Sequence, residues 1–186
     1  MNQTYMKEKK IFPLVMSMAL PMMLSMAFNS LYNIVDSYFV AKLSEDAMTA
    51  LSLVYPAQNL LTAVAVGFGV GVNAMISFYL GAQNQEKADK TATQGIVLGV
   101  LHGVLLMLLF LCGMNWFLGM FTKSDAVRAL GMEYSNVVFL FSTIVTGGIT
   151  LEKIFQAVGR MRATMVSMIA GFVTNIVLDP LLIFDI

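Results

Sequence analysis

The sequence predicts an all-α membrane protein, a polytopic helical bundle of about five transmembrane helices. Three observations lead there. Hydrophobic residues make up 58% of the 186 and charged ones only 12%, against roughly 25% charged in a soluble domain, so the chain lacks the polar surface that keeps a protein dissolved. Apolar runs of about 20 residues, the length that spans a bilayer, recur along it. The runs show no period of two, so a membrane β-barrel does not fit.

Five segments qualify as spans, approximately residues 11–41, 48–80, 91–121, 132–158 and 163–186, and residues 1–186 read as one transmembrane bundle. Several exceed the minimum length, which permits tilt, bending or helical extensions. Lys7, Lys9, Lys10, Lys87, Lys90, Lys153, Arg160 and Arg162 fall on the side of the N-terminus, and Lys42, Lys123 and Arg128 on the other. By the positive-inside rule the N-terminus is cytoplasmic. The lysines ahead of the first apolar run resemble the start of a signal peptide. Signal cores, however, are about 7–15 residues long and this run is about twice that. Net charge is zero and no basic cluster stands out, which argues against a nucleic-acid partner. The single Cys112 excludes an intrachain disulfide.

In the first span Ser25, Asn29, Asn33 and Asp36 follow at spacings of four, four and three, so they share one helix face. A carboxylate at membrane depth is costly and usually faces a partner or a water-filled cavity. The plainer reading is a helix-end Asp reaching the headgroups. The amides behind Asp36 continue the stripe inward, which an end-cap does not require. Pro21, deep in the same helix, removes a backbone hydrogen bond and should kink or locally break it, as a passive kink or as a working bend.

The second span carries Gly67-Phe68-Gly69-Val70-Gly71. No strand precedes it and the glycine pattern is wrong for a nucleotide loop; Gly67 and Gly71 read instead as a small-xxx-small face for close helix approach. Residues 81–90 read as a short charged connector. His102, the only histidine, fits a hydrogen-bonded structural residue better than a proton relay. Glu152 and Lys153 fall near the cytoplasmic face, and no Lys or Arg is expected deep in any helix. In the fifth span Asn175 and Asp179 are i,i+4, with Ser167 and Gly171 extending that face inward and Pro180 weakening the helix behind it. Asp179 lies ~25 Å up the helix from Arg162, and Asp36 ~9 Å below Lys42. Both acids therefore fall in the outer half of the membrane on helices running the same way, which implies one shared site.

Three stretches together resemble the multidrug and toxic compound extrusion (MATE) family of secondary transporters. They are Asn33 through Ala41, Gly67 through Gln94 with Tyr79-Leu80-Gly81-Ala82 inside it, and Asn175-Ile176-Val177-Leu178-Asp179-Pro180. The resemblance covers essentially the whole chain and implies the N-terminal half of a bacterial inner-membrane transporter, five helices of a six-helix bundle, with the sixth helix and the C-terminal half missing. It could be a fragment, a truncated product or one piece of a split transporter. The resemblance implies a cation-coupled multidrug efflux antiporter for cationic amphipathic compounds. Asp36, Asn175 and Asp179 would bind the coupling ion, H⁺ or Na⁺, with Asn29 and Asn33 lining the cavity, Pro21 bending the first helix, and no cofactor. The terminal Phe184-Asp185-Ile186 departs from the Phe-Gly that often follows the motif. A lipid-linked saccharide flippase of the same superfamily would be expected to carry cationic side chains in its cavity. An intramembrane aspartyl protease, the enzyme alternative, lacks its Gly-x-Gly-Asp context. A non-transporting fragment is the plainest alternative.

Overall fold

The computed structural model describes residues 10–184, with side chains to residue 178. Lys7, Lys9 and the Asp185 departure lie outside the described residues. Six helices follow in order: α1 Ile11–Leu43, α2 Glu45–Gly81, α3 Gln85–Phe121, α4 Asp125–Leu140, α5 Ser142–Ala157 and α6 Met161–Phe184. Among the described residues there is no strand. Helices α1, α2, α3 and α6 are each long and apolar enough to cross a membrane. Helices α4 and α5 meet that test only together, as one span bent by 47°. The all-α polytopic class is as expected. In lipid every backbone polar group must be satisfied within its own segment, which leaves helices as the solution here.

Helix starts lie earlier than the apolar runs suggest, because short polar side chains cap them. Ser44 Oγ accepts from Ala47 N–H (3.0 Å), and Glu45 and Asp46 follow in the first turn. Asn84 Oδ1 accepts from Lys87 N–H (3.0 Å), so residues 85–90 of the expected connector are already the start of α3. Ser124 Oγ caps α4 through Val127 N–H, which starts that span at Asp125 instead of residue 132. Each cap satisfies an orphan N–H, and the acids complement the helix dipole. Gly159, at φ 76°, takes the left-handed conformation that a glycine adopts without strain and turns α5 into α6.

The chain divides into two compact units. Val40–Val158 forms a bundle in which α2, α3 and α5 pack on one another and α4 packs on α2 and α3. Its larger core gathers Val54, Leu61, Phe110, Met114, Leu118 and Phe139, with the Phe110 and Phe139 rings stacked 4.4 Å apart. A smaller one gathers Val72, Ile76 and Ala88.

Close approach in this unit comes from glycines other than those expected. A Cβ on Gly95 would sit 2.7 Å from Val72 Cγ1, one on Gly99 2.5 Å from Thr150 Oγ1, and one on Gly103 2.6 Å from the Thr143 Cα and against Thr146 Oγ1. Gly95, Gly99 and Gly103 are i,i+4 neighbours, so one flat stripe of α3 receives α2 and α5. Gly67 and Gly71 are exposed with nothing within 4 Å; on α2 it is Gly69 that is packed. The apolar face of lipid offers helices no hydrophobic reason to associate, so backbone proximity and van der Waals contact carry the adhesion.

The second unit comprises the chain up to Phe39 and from Gly159. It holds most of α1 together with α6. Tyr32 of α1 stacks on Phe172 of α6, ring centroids 5.8 Å apart and planes within 12°.

Candidate functional site

The polar stripe of α1 is built by the helix itself. Ser25 is buried and donates to Pro21 O (3.0 Å). Asn33 Nδ2 donates both to Asn29 O (2.8 Å) and to Asn29 Oδ1 (2.7 Å), so the two amides expected to line a cavity are joined in one ladder. Asn29 and Asp36 are half-buried and Asn33 is exposed. Asp36 interacts with a neighbouring group, as does Asn175. Pro21 is buried within one continuous helix, so it does not break α1. Its missing N–H leaves the Ser17 carbonyl without its usual donor; the Ser17 hydroxyl itself donates one turn back to Leu14 O (2.7 Å).

On α6 the covered face runs through Thr164, Met168, Phe172 and Asn175 at spacings of four, four and three, while Ser167 and Gly171 are exposed. Asn175 lies at the edge of that covered face, three residues beyond Phe172 and four beyond the exposed Gly171. Asp179 lies on α6, but its side chain is outside the described residues. Among the described residues no three His, Cys, Asp or Glu side chains gather as a metal set.

A second polar cluster, in the Val40–Val158 unit, was not anticipated. Lys153 and Glu152, expected at the membrane surface, are 14% and 21% exposed and pair at 3.1 Å. Lys153 Nζ also donates to Gln156 Oε1 (3.3 Å), Gln156 Nε2 donates to Glu152 Oε1 (2.6 Å), and Asn73 Nδ2 donates to Lys153 O (2.8 Å). The lysine stem lies over Gly69. The signal was present: Glu152 and Gln156 are i,i+4 and Asn73 interrupts an apolar helix. Closing the loop of charge and amides neutralises the cluster, so it presents no unpaired cation.

His102 is hydrogen-bonded within its own helix. Its Nδ1 bonds Leu98 O (2.7 Å) and its ring lies 4.8 Å from that of Phe68. An open groove of about 350 Å³ in the same unit is lined by Pro56, Leu60, Phe110, Trp116 and Phe117 among others, an apolar surface suited to lipid tails.

Comparison with known proteins bears on what this arrangement serves. The MatE family model matches residues 21–181. The multidrug export protein MepA of Staphylococcus aureus (strain NCTC 8325) is 30% identical over 181 residues, 97% of this chain and 40% of its own length. A solved outward-facing multidrug resistance MATE transporter of the MOP superfamily superposes with a TM-score of 0.89 at 27% identity, over 92% of this chain and 38% of that one. A MOP superfamily transporter from Pyrococcus furiosus, described as having a binding pocket of reversed polarity that suggests a different function, gives the same figures. The chain thus spans about 40% of the length of the curated relatives it matches, and those multidrug exporters do not favour the saccharide flippase. With a family match over most of its length and the fold of a transporter's half, the chain belongs to the MatE family.

Proposed function

We propose that the chain is the N-terminal part of a cation-coupled antiporter of a bacterial inner membrane, with its N-terminus cytoplasmic. Together with the remainder of the transporter it exports cationic amphipathic compounds by alternating access, moving its substrates without converting them. Asp36, Asn175 and Asp179 bind the coupling ion, H⁺ or Na⁺; Asn29 and Asn33 line the cavity, Pro21 lets the first helix bend, and no organic cofactor takes part. The supporting observation is the half-buried Asp36 one turn beyond Tyr32, whose ring stacks on Phe172, with Asn175 three residues farther along α6. First and fifth spans of an alternating bundle run the same way. This supports a common depth for acid and amide, ~5 Å beyond the stacked rings.

The chemistry follows from charge in a poor dielectric. An ionised Asp36 attracts a cationic drug strongly where water is scarce. Cation binding neutralises that charge and weakens the hold, and release follows because drug and cation favour different states. Asp36→Asn keeps the shape and fixes the neutral form. Restored to the full-length transporter and expressed at the wild-type level, it should lose drug efflux while folding normally. Asp179→Asn should do the same, and the double variant should be little worse, since the acids act as a unit. Imposing a Na⁺ gradient or a pH gradient separately on proteoliposomes identifies the ion. Undiminished efflux by Asp36→Asn would remove the residue, and this mechanism, from the protein.

A further inference from the structure

The fourth span breaks at Phe141, between two helices of 16 residues each, and neither proline nor glycine stands at the break. Sharp bends without those residues usually have another group inserted into the backbone ladder. A helix that restarts at Ser142 has first-turn N–H groups with no intrahelical acceptor. A side-chain cap is missing, because the Phe141 side chain has no acceptor; its backbone carbonyl takes the N–H groups of Ile144 (3.0 Å) and Val145 (3.1 Å), which leaves those of Ser142 and Thr143. Carbonyls of the last turn of α4 are freed at the same place.

Two hydroxyls sit at this junction. Ser142 is 0% exposed, and both Ser142 Oγ and Thr143 Oγ1 are buried with no hydrogen-bond partner among the protein groups. Other buried hydroxyls nearby behave differently. Ser135 donates to Met132 O, Thr146 to Thr143 O and Thr150 to Thr146 O, each satisfied one turn back. Ser142 and Thr143 make no such bond, because one turn back lies across the bend, where the chain leaves the helical path and Phe139 O accepts from Phe141 N–H. Across from them α3 presents Gly103, whose missing side chain leaves the backbone of Ser142 and Thr143 close against the helix.

We propose that the break in the fourth span binds ordered water, which bridges Ser142 Oγ and Thr143 Oγ1 to the backbone groups freed between α4 and α5 and makes the bend a hydrated hinge. The group set is neutral and contains both donors and acceptors, which matches water, a molecule that makes about three bonds to such groups when buried. It lacks the carboxylate expected where a cation is held at membrane depth. Waters are one of the recognised means by which broken membrane helices satisfy freed backbone groups. The half-span below the hinge carries the Glu152–Lys153–Gln156 cluster, so a change of bend moves that cluster against α2.

The sign of a stability change tests this. A dry, unpartnered hydroxyl is a burden, and deleting it raises stability; a hydroxyl bound to ordered water is an asset, and deleting it lowers stability. Thermal unfolding of the full chain in detergent should show Ser142→Ala and Thr143→Val each lowering Tm by about 2–4 °C, and the double variant little further, because the two share one water network. An unchanged or raised Tm overturns the proposal. A rise of wild-type Tm with Na⁺ that Ser142→Ala abolishes overturns it too, by assigning the site to a cation. Radiolytic hydroxyl labelling of the wild type supplies an arm independent of any variant. Phe139, 0% exposed, should be labelled by radicals formed from the adjacent water, and an unlabelled Phe139 counts against the site.

Discussion

The two units of this chain handle their polar and small residues in opposite ways. In Val40–Val158 the small residues are structural: Gly95, Gly99 and Gly103 receive the neighbouring helices, and the hydroxyls of Thr146 and Thr150 turn back on their own carbonyls. In the other unit Pro21 and Ser25 of α1 and Thr164 of α6 are buried, while Asn29 and Asp36 of the stripe are half-buried and Asn33 is exposed. A membrane bundle is held by what its side chains omit, since lipid competes on equal terms for every leucine. At membrane depth a polar stripe is a candidate for function. The contrast yields a series of substitutions graded by how much backbone contact each disturbs.

Gly103→Ala should have the largest effect. Its Cβ would lie 2.6 Å from Thr143 Cα, a backbone atom, and would also meet Thr146 Oγ1. A flexible side-chain end can swing away, whereas α5 must move as a whole. Overpacking of this kind costs about 1–3 kcal/mol, which in a chain of this size lowers Tm by several degrees, about 2–4 °C per kcal/mol. Gly95→Ala, whose obstacles are Val72 methyls, should cost less. Equal costs at the two positions would mean that the backbone contact is not what holds α3 to α5.

Lys153→Met comes next. The substitution keeps the stem over Gly69 but leaves Glu152 with Gln156 as its remaining bonded partner. Breaking a charge-assisted bond of a mostly buried group should cost about 1–2 kcal/mol, less than for a fully dry pair because both side chains keep some exposure. Adding Glu152→Gln should recover much of the loss, since the stranded charge disappears with it. A double variant whose losses simply add would show that the two residues are not coupled.

The class of fold was readable from span-length apolar runs, and the α1 stripe from residue spacing, because polar side chains in such runs are few and their period is plain. What escaped the sequence has a common cause. A membrane helix is apolar toward lipid and toward its neighbours alike, so periodicity does not say which face packs. Gly67 and Gly71 in α2 were as good a small-residue pair as Gly95, Gly99 and Gly103 in α3, and only the packed structure separates them. Distance along the chain placed Lys153 near the cytoplasmic face but did not show which way it turns, and the rotation of α5 sets it on Gly69. The break at Phe141 carries no proline or glycine, so nothing in the local composition marks it.

Gly71→Ala should have the smallest effect and the opposite sign. A Cβ there would meet nothing within 4 Å, so no packing is disturbed. Alanine is the better helix former by about 0.8–1 kcal/mol, partly because it narrows the unfolded ensemble. For this chain alone the substitution should raise stability by up to about 1 kcal/mol, measurable as a small increase in Tm, and Gly67→Ala should behave alike. The same pair of variants in a full-length transporter sharpens the comparison. A gain there as well would make this glycine face lipid-exposed, with no packing duty anywhere. A loss confined to the full-length protein would show that the face receives a helix lying beyond these 186 residues, so that the small-xxx-small pattern of α2 serves the same purpose as that of α3, against a different neighbour.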